Sequence, residues 1–138
     1  MKIKNFALLA GVSGLLAACG GSSIVEPADL NDQRVYFAFN SAEISEDAEN
    51  NLLGQSLYMK NHEGTKIQIA GNCDERGSTE YNLALGARRA NAAKKVLVKD
   101  GIAASRISTI SYGKERPLVK GTGEKVWKYN RNATTTVK

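Results

Sequence analysis

Apolar and polar positions follow two rhythms along this chain. Lys66-Ile67-Gln68-Ile69-Ala70 and the stretch RISTISY, Arg106 to Tyr112, alternate with a period of two, which predicts strands with one buried face. Val35-Tyr36-Phe37-Ala38-Phe39 is β-branched and aromatic, and predicts another strand. Between these, Ser45 followed by Glu46, Asp47 and Glu49 is the signature of a helix N-terminus, with acids where the helix dipole favours them. That helix carries Leu52, Leu53, Leu57 and Tyr58 and ends near Asn61. Gly71 to Ser78 is expected as a loop, and a second helix runs from about Thr79 to Asp100, stopped by Gly101. A short helix near Glu124 to Tyr129 and a strand from about Ala133 to Val137 follow. The order predicts an α/β (α+β) sandwich, βαβαβ(α)β, with helices packed on a mixed four-stranded sheet.

The second helix contains a chemical oddity. At about 100° per residue, with Asn82 at zero, Leu85 falls near −60°, Arg89 near −20°, Ala93 near +20° and Val96 near −40°. All four share one stripe, whereas Arg88, near about −120°, faces away. A guanidinium on an inward stripe needs an anion, because burying an uncompensated charge is costly. One candidate is internal, a bridge from Arg89 to Asp74 or Glu75 in the preceding loop. The other is a ligand: Arg89 would offer its planar fork to a carboxylate while Asp74 accepts an ammonium, a pair suited to the free end of an amino acid.

The chain's ends say where such a ligand would be met. MKIKNFALLAGVSGLLAACGG has two lysines, an apolar run from Phe6 to Ala18 and small residues around Cys19, the pattern of a secretory signal and too short for a membrane span. Leu16-Ala17-Ala18-Cys19 reads as a bacterial lipobox, so residues 1–18 are expected to be removed and Cys19 lipidated; an ordinary signal peptide with an incidental cysteine is the other reading. Several acyl chains, at about 0.8 kcal/mol per buried methylene, make a lasting anchor. Gly20, in place of the aspartate that retains such lipoproteins at the inner membrane, points by that sorting rule to the outer membrane. Residues 20–33, small, polar and broken by Pro27, are expected to be a flexible tether of roughly 20 Å, with one domain over 34–138.

Charge and residue counts narrow the chemistry. Without the signal the chain carries a net charge of +3, but residues 19–84 hold −7 and residues 85–138 hold +10. For an exported chain that basic half implies solvated helix faces and an anionic envelope partner, with no nucleic acid to meet. With lipid on Cys19, Cys73 has no partner within the chain and is expected as a small, partly packed residue, a cross-link between two chains in an oxidising compartment being the other reading. A single histidine, His62, at a helix end, and a single mature thiol cannot assemble a metal centre or a Ser/His/Asp triad, so no cofactor, metal or catalytic group is expected. Trp127 and Tyr129 are expected to pack in the core, a partner patch being the other reading.

The run Gly71-Asn72-Cys73-Asp74-Glu75-Arg76-Gly77, then Tyr81-Asn82-Leu83-Ala84-Leu85-Gly86-Ala87-Arg88-Arg89-Ala90, resembles the OmpA-like peptidoglycan-binding domain family. With the lipobox and the segment Ser105 to Pro117, the chain is similar to the lipid-anchored branch of that family over residues 34–138. The resemblance implies noncovalent binding of meso-diaminopimelate in peptidoglycan stem peptides, at the outer membrane and facing the periplasm. It assigns the ligand's ammonium to Asp74 and its carboxylate to Arg89, with Asn82 and Leu85 supporting and Asn72, Arg76, Phe39 and Asn40 bordering the pocket. It further implies TolB and other Tol proteins as partners during division, or a docking adaptor for them with a weakened sugar-peptide site. Three features depart from the family: Asn40 where an aspartate usually stands, Asn132 where a second arginine usually follows Arg131, and a short tether.

Overall fold

Strand β1 (Gln33–Tyr36) leads into helix α1 (Glu46–Asn61), then β2 (Ile67–Asn72), α2 (Thr79–Lys99), β3 (Ile107–Gly113), α3 (Glu124–Asn130) and β4 (Asn132–Val137). The computed structural model describes residues 23–138, so the expected signal and the lipidated Cys19 lie outside the described residues. The strands form one mixed sheet in the order β1-β4-β2-β3, antiparallel except for the parallel β2/β3 pair. Helix α1 starts where the sequence places its cap, the Ser45 hydroxyl accepting from the Ala48 amide at 3.1 Å, and in the structure Ser78 caps α2 in the same way, accepting from Tyr81 at 3.0 Å. Gly101, at φ +104°, ends α2 in the left-handed conformation that a side chain would resist.

The core lies between the helices and one face of the sheet, where Val35, Phe37, Leu52, Met59, Ile67, Ile69, Leu97 and Ile107 meet. Helix α1 departs from its apolar pattern. Leu52 is buried, but Leu53, Leu57 and Tyr58 are only half-buried, and the inward stripe instead runs through Ala48, Leu52, Gln55, Ser56 and Met59. Gln55 is tolerated there because Thr135 of β4 donates to its Oε1, while its amide donates to Asn51.

The expected tether is corrected over its second half. Leu30 is fully buried in the core cluster, the Asp32 amide donates to the Thr135 carbonyl at 2.8 Å, and Glu26 accepts from the Asn61 side chain at the end of α1. One leucine in a polar stretch carries no periodic signal, so nothing local announced that this segment docks. The packed body therefore begins before β1.

Candidate functional site

Two loops and one helix converge at the end of β2. After Phe37 the first strand leaves the sheet sooner than its aromatic run predicts, and the chain turns through Asn40, which is left-handed at φ +57°. This turn presents the carbonyls of Ala38 and Ser41 to α2. The second loop, which follows β2, is fastened to α2 by Asn82, whose amide donates to the carbonyls of Arg76 and Ser78 at 2.8 and 3.0 Å. Beneath it Cys73 is buried, its thiol 3.3 Å from the Asn82 carbonyl. Burial pushes that thiol's pKa up, so it is a packed, protonated group out of reach of a second chain.

Arg89 lies on the inward stripe as the wheel predicts, and is completely buried, while Arg88 is exposed. It makes no bridge to Asp74 or Glu75. Instead its Nε donates to the Ser41 carbonyl at 2.8 Å, Nη1 to the Asn72 carbonyl at 2.9 Å and Nη2 to the Ala38 carbonyl at 3.1 Å. A guanidinium has about five N–H donors. These three bonds use the Nε–H and one N–H of each terminal nitrogen, and the Cys73 thiol is also within the guanidinium's hydrogen-bonding reach. Burial draws the Arg89 pKa down from its ordinary value.

Asp74, only 4% exposed, is held by other arginines. Its Oδ1 accepts from the Arg76 amide at 3.0 Å and Arg76 Nε at 3.2 Å, and its Oδ2 from Arg76 Nη2 at 2.8 Å and Arg131 Nη1 at 3.4 Å. Arg131 also donates to the Phe37 carbonyl and pairs with both oxygens of Glu124. The Arg76 guanidinium is sandwiched between the rings of Phe39 and Trp127, 3.8 and 3.9 Å from their centroids. Trp127 is thus half-buried beside the site and outside the core, its indole N–H donating to Glu75 at 2.7 Å; Tyr129 is exposed, with its edge against Tyr36. The expectation of core packing fails for both because the short helix α3 packs over the loop end of the sheet, where loops supply the contacts.

A cavity of about 300 Å³ opens between these groups, lined by Phe39, Asn40, Asp74, Arg76, Asn82, Leu85 and Arg89, with Cys73, Gly77 and Tyr81 completing the wall. Opposite charges therefore face one space without neutralising each other directly. Of the residues expected here, only Asn72 is elsewhere. Its carbonyl serves Arg89, but its side chain sits on the opposite face of the sheet and donates to Asn132 Oδ1 at 2.9 Å. The β2/β4 register sets Asn72 directly against Asn132, so both project from that face. The departure at Asn132 therefore lies away from Asp74, and Arg131 supplies the arginine inside the site. The sequence reading missed Arg131, Glu124 and Trp127 as site residues, since nothing local to α3 signals that it meets a loop some fifty residues earlier. His62 is a helix-end residue as expected, its Nδ1 donating to the Tyr58 carbonyl.

Burial pushes the Asp74 carboxyl up, but the hydrogen bonds and charge of Arg76, with a bond from Arg131, outweigh it and leave the pKa below its ordinary value. An unfolded chain then takes up this proton at about pH 4, before the folded one does. The stabilisation is complete above that pH and is lost as pH falls through the lower, folded value. Thermal melts from pH 7 to pH 3 should show a smaller acid-induced loss of Tm in Asp74→Asn than in the wild type; equal slopes would show that Asp74 contributes nothing to acid sensitivity.

Comparison with known proteins agrees with this architecture. Residues 36–131 match the OmpA family model. The peptidoglycan-associated lipoprotein of Mesorhizobium japonicum is 43% identical over 136 residues, covering 99% of this chain and 80% of that protein. That of Pasteurella multocida is 38% identical, covering 96% of both chains. The crystal structure of the peptidoglycan-associated lipoprotein from Burkholderia pseudomallei superposes with a TM-score of 0.75 at 38% identity, over 77% of this chain and 90% of that one. A C-terminal domain of Helicobacter pylori MotB, at 18% identity and a TM-score of 0.66, shares the fold. Lipobox, loop motif, sheet order and relatives converge: the chain belongs to the OmpA family and, within it, to the peptidoglycan-associated lipoproteins.

Proposed function

We propose that this chain joins the outer membrane to the cell wall by gripping, without chemical turnover, the side-chain end of meso-diaminopimelate in peptidoglycan stem peptides. Arg89 takes the ligand carboxylate and Asp74 its ammonium, the two charges that this residue carries on one carbon. Phe39, Asn40 and Leu85 line the cavity that receives it, Asn82 holds the loop in place, and Arg76 stands at the rim. The observation that carries this reading is the completely buried Arg89, hydrogen-bonded to three backbone carbonyls and with no carboxylate partner among the described residues. A buried charge left unpaired is costly, and an anion entering the cavity would relieve it. The names of the relatives, peptidoglycan-associated lipoproteins, agree with it. Acyl chains on Cys19 would hold the domain at the outer membrane, facing the periplasm, and TolB and other Tol proteins would be its partners at division.

Calorimetry with the mature domain tests the grip. Muropeptides carrying diaminopimelate should bind about 10- to 100-fold more tightly than otherwise identical lysine muropeptides, because lysine lacks the carboxylate and leaves Arg89 unpaired. Comparable affinities for the two would overturn the assignment. The hydrogen bonds that already fill Asp74 favour a second reading, a protein-docking adaptor whose wall site has weakened. Capture of TolB with no muropeptide affinity would select it.

A further inference from the structure

We infer that Arg76 is an internal competitor for the ligand's ammonium, and so the residue that sets how strongly the site distinguishes a zwitterionic ligand from one bearing only a carboxylate. The inference rests on the proposed grip by Asp74 and Arg89.

A carboxylate offers about four lone-pair sites. On Asp74 all of them are taken: two at Oδ1 by the amide and Nε of Arg76, and two at Oδ2 by Nη2 of Arg76 and Nη1 of Arg131. A ligand ammonium reaching Asp74 must therefore replace one of these donors. Arg131 is the less replaceable, since it is 6% exposed, donates to the Phe37 carbonyl and is paired with both oxygens of Glu124. Arg76 is free to leave. Its side chain is 31% exposed, and apart from Asp74 it rests, among the described residues, on the faces of Phe39 and Trp127. Its amide can stay on Oδ1 while the guanidinium swings out, and water solvates the released charge.

Two consequences follow from exchanging one cation for another. The ammonium gains Asp74 only after the bidentate bond to Arg76 is lost, so in the native protein the amino group adds little to affinity. The carboxylate meets no such competition, because Arg89 has no acidic partner among the described residues. A ligand with only the carboxylate can bind with Arg76 in place and does not sense the competition at all. Removing the Arg76 guanidinium therefore strengthens ligands that carry the ammonium and gives no gain to the others.

The experiment uses three stem peptides, identical except for diaminopimelate, lysine or 2-aminopimelate, which keeps the side-chain carboxylate but lacks the amine. Each is titrated into the wild type, Arg76→Met, which retains a long side chain against both rings, and Arg76→Gln. In the wild type, loss of the amine should weaken binding by less than about threefold. In Arg76→Met the diaminopimelate peptide should bind about tenfold more tightly while 2-aminopimelate gains nothing, so that the amine becomes worth tenfold or more. Trp127, the only tryptophan, reports the movement. Its emission should shift with diaminopimelate as Arg76 leaves its ring, and stay constant with 2-aminopimelate.

Weaker diaminopimelate binding in both variants would overturn the inference, as would equal tightening of both carboxylate ligands, which would mean only that the cavity had widened. If the wild type prefers diaminopimelate to lysine but the amine's contribution is the same in all three proteins, the grip stands and the competition fails. If no protein binds any of the peptides, the grip itself fails and the inference with it.

Discussion

Replacing Arg89 with alanine should cost about 2–4 kcal/mol of stability and remove muropeptide binding, two effects with separable causes. The first arises because Arg89 is completely buried and supplies the donors that three backbone carbonyls, on Ala38, Ser41 and Asn72, accept. These bonds tie the turn after β1 to the end of β2, and alanine would leave both the bonds and the volume unfilled. In a domain of this size such a loss lowers Tm by about 10–20 °C. The second arises because the proposed ligand carboxylate loses the guanidinium that would hold it. Arg89→Met separates the two, because it refills the volume and removes a charge whose desolvation is unfavourable. Differential scanning calorimetry should place Arg89→Met nearer the wild type than Arg89→Ala, whereas both should be blank in muropeptide titrations. A methionine variant that binds like the wild type would show that the carboxylate is held elsewhere.

Gly71→Ala should be the most damaging single methyl in the domain. Helix α2 crosses β2 with backbone against backbone, so that a methyl carbon on Gly71 would overlap the Gly86 carbonyl oxygen and stand 2.5 Å from the carbonyl carbon. Neither partner has a side chain that could rotate away, and relief requires lifting the helix off the sheet. That displacement would reach the site, since Arg89 lies one turn beyond Gly86 and bonds the carbonyl of Asn72, the residue after Gly71. Overpacking that moves backbone costs several kcal/mol, and a loss of more than about 4 kcal/mol, or failure to fold, is expected. Gly86→Ala should be milder. Its methyl would overlap the Ser111 hydroxyl, a side chain able to move, and stand 2.9 Å from the Gly71 carbonyl oxygen. The pair Gly86→Ala and Ser111→Gly should recover part of the loss, and urea melts of the four proteins would measure the recovery. A Gly71→Ala protein with native Tm would show that the helix has room to shift.

Both predictions depend on a contact that pattern reading approaches from one side only. The helix wheel separated Arg88 from Arg89 because that choice is set by local periodicity. It did not reveal that Arg89 would be satisfied by carbonyls, because those belong to a turn about fifty residues away. The same limit explains α1, where the leucines marked an apolar helix but Gln55 and Ser56 occupy the inward stripe. A polar residue is admitted to a core only when a partner is supplied, and here Thr135 of β4 and Asp100 at the end of α2 supply it.

Strand and helix order, the Ser45 cap, the glycine stop and the inward face of α2 were determined by the amino-acid sequence, because each depends on neighbours within a few residues. Which carboxylate meets which arginine was decided only by the tertiary structure. Asp74 is, by sequence, one of two acids that could partner Arg89 within the chain, a ligand being the other reading, and in the structure it holds Arg76 beside it and Arg131, 57 positions away. Charges choose partners by distance in space, and the sheet order β1-β4-β2-β3 brings the start of the last strand alongside the end of the second. That pairing leaves Arg89 without an acid among the described residues, and the cavity with its charge.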